Sequence, residues 1–337
     1  MYKSIMRTGS FKNGKFVISL DFELFWGVRD KRSIDTYGKN IIGVKQAIPA
    51  ILSLCREYDV RITFSTVGFL FAQNKNELLK YSPSLKPQYT ETHLSPYTDM
   101  DSVGDNENDD PYHFGYSLLQ QIRVNPQHEI GTHTFSHYYC LEPGQTLTAF
   151  SADLVAARHI GQEKGIDVRS LVFPRNQFNQ QYLDACKTAG IESYRGNPVS
   201  WLYAARNKND ETLLRRLFRL ADAYINITGH HCHSKQYVAD APIPNVAASR
   251  FLRPFNKKLS LLEGFRLKRI TSSMKYAAKN KKLYHLWWHP HNFGSNLEEN
   301  ILFLKQIFTR FEQLREKYRF ESVTMTQIAE EIKKDNG

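Results

Sequence analysis

Three short strings concentrate carboxylates and imidazoles: Asp21-Phe22-Glu23, His133-Thr134-Phe135-Ser136-His137 and Trp288-His289-Pro290-His291. Groups of these types can hold a divalent cation beside a free acid and a free base, which is the equipment of metal-assisted hydrolysis. His133 and His137 stand four positions apart, so a helical turn after a strand would aim both imidazoles at one ion, at about 2.0–2.1 Å. A lone H-x-x-x-H pair fits two polar loop residues as well. Here Gly131 and the preceding strand-like run from His128 favour ligands. On an extended strand Asp21 and Glu23 point to one side and Phe22 to the other. Two acids on one face repel unless something positive lies between them. A metal removes that repulsion if one carboxylate ligates and the other stays free as a base.

The elements that must position these strings can be read from hydrophobic periodicity. Lys15 to Asp21 contains the apolar run of a buried strand, and Leu283 through Trp287 contains another. Arg61 to Phe71, Leu171-Val172-Phe173, Ile191 to Tyr194 and Phe320 to Met325 read as further strands. Val44, Ile48, Ile51, Leu52 and Cys55 share one helical face, with Pro49 inside it as an expected kink or break. Helices are also expected over Thr148 to Lys164 and Gln181 to Thr188. Ser295 and Glu298 read as a capping box ahead of Leu297, Ile301, Leu304, Phe308 and Phe311, and Thr326 as the cap of a closing helix. Strands alternating with helices imply a mostly parallel sheet rolled into an α/β barrel, and such barrels build their sites at the carboxyl ends of the strands. All three strings fall at such ends.

Taken together, Ser19-Leu20-Asp21-Phe22-Glu23, His128 through His137 and Trp288-His289-Pro290 resemble the NodB-type polysaccharide deacetylases, carbohydrate esterase family four. The resemblance runs from about Phe16 to about Glu331. It implies a distorted, incomplete (β/α) barrel forming one domain over residues 12–332, with insertions at about 83–111 and 198–282. Carried over by position, Asp21 matches the catalytic base, His133 and His137 the metal-binding histidines, and His289 the acid. Glu23 falls where the D-x-D subgroup places its metal carboxylate, which makes this chain a D-x-E variant. Phe173-Pro174-Arg175-Asn176-Gln177 occupies the place of the family's arginine motif, so Arg175 is expected to pair with Asp21 and the backbone N–H after it to help hold an oxyanion. The implied cofactor is a divalent metal, zinc first, with cobalt, nickel and manganese as alternatives. Trp26, Trp288, Asn176, Gln177 and His291 are the expected substrate-binding residues, and Trp287 and Trp201 are further sugar platforms.

The implied reaction is hydrolysis of an N-acetyl group from an amino sugar in a glycan or glycan precursor. Two other readings compete: a metal-dependent hydrolase of a non-sugar cyclic amide, as in allantoinase-like relatives, and an inactive carbohydrate-binding protein.

The two insertions break the alternation. Residues 83–111 are polar and end in Asp99, Asp101, Asp105, Glu107, Asp109 and Asp110 without the ligand spacing of a calcium loop, so a solvated insertion is expected. Residues 198–282 carry His230, His231, Cys232 and His233, read as a loop that lines the substrate groove or sits in solvent.

In 337 residues, 41% hydrophobic and 13% aromatic, there is material for a large core. The net charge of +11 is uneven: Arg250 to Lys282 holds eleven Lys or Arg and one acid, Glu263. A solvated helical face is the plain reading. The functional one is an anionic partner, such as a phosphate-linked carbohydrate or the inner membrane surface touched peripherally. No nucleic-acid-binding motif accompanies the charge. The scattered Cys55, Cys140, Cys186 and Cys232, the non-secretory stretch from Met1 to Asn13 and the lack of a membrane-spanning run lead us to expect a cytoplasmic protein.

Overall fold

A computed structural model describes residues 9–203 and 212–335. Its central strand, β1 (Lys15–Phe22), is buried along its whole length, as a run of apolar residues covered on both faces requires. The others are β2 (Thr63–Thr66), β3 (Glu129–Thr132), β4 (Ser170–Val172), β5 (Ser193–Arg195), β6 (Arg250–Phe251), β7 (Leu283–Trp288) and β8 (Glu321–Ser322). All their pairings are parallel, in the order β5-β4-β3-β2-β1-β7-β6. β8 pairs with Lys15 and Phe16, while β2 pairs with β1 further along, from Ser19 to Phe22.

The sheet curls until its ends meet. Val246 N–H donates to Tyr194 O (2.8 Å) and Ala248 N–H to Gly196 O (2.9 Å), beside β5. On the other side Ser249 N–H donates to His285 O and Leu252 N–H to Trp287 O, both at 2.8 Å. The seam is thus a loop and a two-residue strand rather than a full ladder, and the fold is a distorted, incomplete (β/α) barrel.

The helices are α1 (Ile34–Ile42), α2 (Val44–Tyr58), α3 (Lys75–Tyr81), α4 (Tyr116–Arg123), α5 (Leu147–Glu163), α6 (Tyr182–Thr188), α7 (Leu213–Asp222), α8 (Lys235–Ala239), α9 (Glu263–Lys279), α10 (Leu297–Tyr318) and α11 (Met325–Lys334). Among the described residues no helix is long and apolar enough to cross a membrane. One hydrophobic cluster draws on residues from Phe16 to Phe320.

Local expectations fail where side chains find better partners. α2 runs unbroken through Pro49, because Ile48, Ile51, Leu54 and Cys55 keep its face buried. The box of Ser295 and Glu298 does not form; Asn296 precedes α10 in a left-handed conformation, and Asn300 Nδ2 binds the carbonyls of Ser295 and Asn296. Thr324, not Thr326, caps α11, in a box with Gln327, while Thr326 Oγ1 donates to Glu129 at 2.6 Å.

Both insertions pack into the domain, although Asp99, Asp101, Asp105 and Asp109 of the first stay exposed, as a solvated insertion would have them. Residues 83–111 pack inward: Tyr89, Leu94, Met100 and Val103 are buried, and Gln88 and Thr90 donate to Gly144 and Pro143 backbone carbonyls. Residues 198–282 include β6 and α9, and α9 packs against α10, so this stretch supplies part of the barrel. Arg250, Arg266 and Arg269 of the basic run are buried, because Asp222 pairs with two of them and Glu263 with the third.

Candidate active site

β1 delivers Asp21 as its penultimate residue, and Glu23 follows at the turn into a short 3-10 helix, Leu24–Gly27. The Glu23 carboxylate has room because residue 27 is glycine; a Cβ there would lie 1.9 Å from Glu23 Cδ. The histidine string follows β3, but no helix forms. The chain instead turns through Thr134 (φ 62°) and His137 (φ 59°), a left-handed conformation unfavourable for side-chain-bearing residues. Asp153 of α5 holds it there, accepting from Phe135 N–H (2.7 Å), Ser136 N–H (3.1 Å) and Ser136 Oγ. Tyr89, from the first insertion, accepts from Tyr139 N–H at 2.8 Å.

These supports bring the ligating atoms of Glu23, His133 and His137 within 4.8 Å of one another, all buried. Glu23 Oε2 lies 3.4 Å from His133 Nε2 and 3.2 Å from His137 Nε2. Two bonds to zinc at the tetrahedral angle separate their ligand atoms by about 3.3–3.4 Å, so the donors fit a cation between them. His133 Nδ1–H donates to Val172 O at 2.8 Å, which leaves Nε2 as the free lone pair. His137 Nδ1 bonds to Tyr139 Oη at 3.2 Å and is fixed likewise. Burial pushes the His137 pKa down to about 4, so at neutral pH it is an uncharged ligand. Burial pushes Glu23 up, but His289, His133 and His137 pull it well below the usual carboxylate value. Among the described residues, only imidazoles lie within ion-pair distance of it. A buried carboxylate with no Lys or Arg at that distance wants a cation.

Asp21 pairs with Arg195, not Arg175. Arg195 Nη1 and Nη2 donate to Asp21 Oδ1 and Oδ2 at 2.6 and 2.8 Å. Burial raises the Asp21 pKa, and the Arg195 guanidinium with His133 and His289 more than reverses that, leaving it below the ordinary value. Arg195 Nη1 also donates to Ser19 Oγ, which meets His285 Nε2; both bonds are 2.8 Å. His285 donates from Nδ1 to Val246 O, so Ser19 donates to its bare Nε2. Sequence reasoning missed Arg195, Ser19 and His285. The available signal was an arginine one residue past the strand expected at Ile191 to Tyr194.

Arg175 bridges Asp30 and Glu142 and stacks on Tyr139, 3.9 Å from the ring centre, because its backbone turns left-handed (φ 54°) away from Asp21. The N–H after it, on Asn176, donates to Phe173 O at 3.0 Å and is not free for an oxyanion.

His289 Nε2 lies 3.7 Å from Asp21 Oδ2 and 3.6 Å from Glu23 Oε1, and its side chain keeps 23% exposure toward the cleft. His291 is buried behind it, its ring stacked at 4.9 Å and its Nδ1 4.0 Å from Glu23. Of the expected substrate residues, Trp26 is core: buried, with Nε1–H donating to His113 O at 2.8 Å. Trp288 is core as well, because the alternation of β7 turns Trp287 to the cleft instead. Gln177 is buried against Glu142 (2.7 Å), and Trp201 is exposed outside the cleft. Asn176, Trp287 and His289 line a common cavity. The His230–His233 side chains diverge: His230 bonds to Ser273, His231 to Thr228 and His233 to Ala248 O.

Residues 35–194 match the family model described as polysaccharide deacetylase. Curated proteins yield no match. Among solved structures, a putative polysaccharide deacetylase from Mycobacterium smegmatis superposes with TM-score 0.55 at 12% identity, covering 97% of this chain and 93% of that one. The Xyl-CE4 domain of a multidomain xylanase from the hindgut metagenome of Trinervitermes trinervoides gives 0.42 at 11%, with 95% and 91% covered. An allantoinase gives 0.49 at 10%, with 94% and 89% covered. With residues 35–194 matched to the polysaccharide deacetylase model, the barrel shared and two carboxylates and three histidines gathered at its strand ends, the chain is similar to the NodB-type polysaccharide deacetylases.

Proposed function

We propose that this protein removes the acetyl group from an acetamido sugar of a glycan or glycan precursor, releasing acetate, with Glu23, His133 and His137 holding a divalent ion, zinc first, as a D-x-E member of the family. The observation that carries the reading is the convergence of those three donors, with Asp21 and His289 beside them and the cavity alongside. A bound divalent ion supplies polarisation of the acetyl carbonyl and a water whose pKa falls toward about 7. Asp21, kept ionised by Arg195, takes the proton of the attacking water. His289, oriented through Nδ1 by Asn292 Oδ1 (3.3 Å), gives a proton to the departing sugar amine. Trp287, with Arg195 over one face (4.2 Å), borders the cavity as an aromatic wall for the sugar.

The test is acetate release from N-acetylhexosamine substrates, with metal content measured in parallel. We expect His133→Ala to lose bound metal. Asp21→Asn should keep the metal while kcat falls about 10²–10⁴-fold. Equal metal content in wild type and His133→Ala, or full turnover by Asp21→Asn, would refute the reading.

A further inference from the structure

The cavity beside His289 has a volume of about 290 Å³ and is lined by Arg175, Arg219, Arg250 and Arg253, with no Asp or Glu among its lining residues. Neutral sugar hydroxyls require no such lining. The carboxylates behind it are unevenly shared. Arg175 is neutralised by Asp30 and Glu142, but Asp222 alone serves both Arg250 (3.4 Å) and Arg269 (3.3 Å). Arg250 is buried to 5% exposure, and its Nε has no hydrogen-bond partner. Arg253 has no carboxylate within ion-pair distance among the described residues; the groups acting on it are Tyr203 and Tyr224 and the like-charged Arg219 and Arg266. Desolvated guanidinium groups short of carboxylates are costly unless an anion completes them, and their forked donors match a phosphate bidentately.

We infer that this cavity is a subsite for the phosphate of a phosphate-bearing acetamido sugar. The inference rests on the deacetylase reading for the sugar but not for the phosphate. The phosphate can belong to a nucleotide-linked or a lipid-linked sugar. The lipid case has an apolar surface nearby: Leu213, Leu214 and Leu217 are exposed on α7, the helix that also gives Arg219 to the cavity.

Pyrophosphate binding to metal-free full-length protein, measured by calorimetry under chelator, tests the subsite without catalysis. Arg253→Ala should weaken it about tenfold, with Arg253→Lys between; the lysine variant also serves if the alanine variant does not fold. With metal restored, kcat/KM for acetate release should favour N-acetylglucosamine 1-phosphate over N-acetylglucosamine at least tenfold, and that ratio should drop toward one in Arg253→Ala. Nucleotide-linked N-acetylglucosamine and a polyprenyl-phosphate-linked form in micelles then separate the two sources by which gains further. Absent pyrophosphate binding together with a ratio of one overturns the subsite. Arg253-dependent binding with no acetate from any substrate overturns the deacetylase reading and leaves the subsite standing.

Discussion

Arg195 and Gly27 show how single residues set the chemistry. With Arg195 present, Asp21 is a buried carboxylate paired through both oxygens. Removing the guanidinium leaves that charge without its cation and lets burial raise its pKa. We expect Arg195→Gln to move the acid limb of the kcat/KM profile to higher pH and to lower kcat about 100-fold. A purely structural role for Arg195 would leave the limb in place. Gly27 makes room for Glu23, the proposed metal carboxylate, one methylene longer than aspartate. Gly27→Ala should therefore displace Glu23 and reduce metal occupancy, whereas Gly27→Ala combined with Glu23→Asp should recover part of it. Metal content per chain is the readout.

Among the elements, the loop after β3 is the one under strain, and three others restrain it. α5 offers Asp153, the turn after β2 offers Gly68, and the first insertion offers Tyr89. Gly68 N–H donates to Thr134 O at 2.9 Å, and a Cβ on it would lie 2.6 Å from Phe135 Cα. Asp153→Ala removes the acceptor of two buried backbone N–H groups, each worth about 1–3 kcal/mol when left unmade. We expect a lower thermal midpoint and weaker metal binding from that variant, although Asp153 hydrogen-bonds to none of the three proposed ligands. Unchanged metal affinity would show that the strand ends alone hold the loop.

At the scale of the whole molecule, several histidines are buried as neutral groups. Burial lowers His128, His137, His231 and His233 to about 4 and His285 and His291 to about 3. The unfolded chain binds their protons near pH 6.5, so between about pH 6.5 and 4 it carries more protons than the native state. Stability must fall as pH drops through that window. At pH 5 the loss is on the order of 1–2 kcal/mol per imidazole. Asp153 acts in the opposite sense, since burial raises it to about 7 and its contribution fades as pH rises through that value. One group opposes six, so the urea midpoint of the metal-free protein should decline from pH 7 to pH 5. A flat profile would mean these imidazoles open to solvent.

What the sequence determined by itself is the inventory and its address. Apolar runs place Asp21, His133 and His289 just inside or past strand ends, because burial on both faces writes a continuous hydrophobic signature into a parallel strand. The alternation of β7 likewise divides Trp287 from Trp288, and only the tertiary structure says which one faces the cleft. It also decided the partner of Asp21. Arg195 is 174 residues away, on a strand four places from β1 in sheet order, and it reaches Asp21 because the sheet rolls back on itself. Local periodicity encodes which face a side chain takes; which distant side chain it meets depends on curvature and register, and no short stretch of sequence carries those.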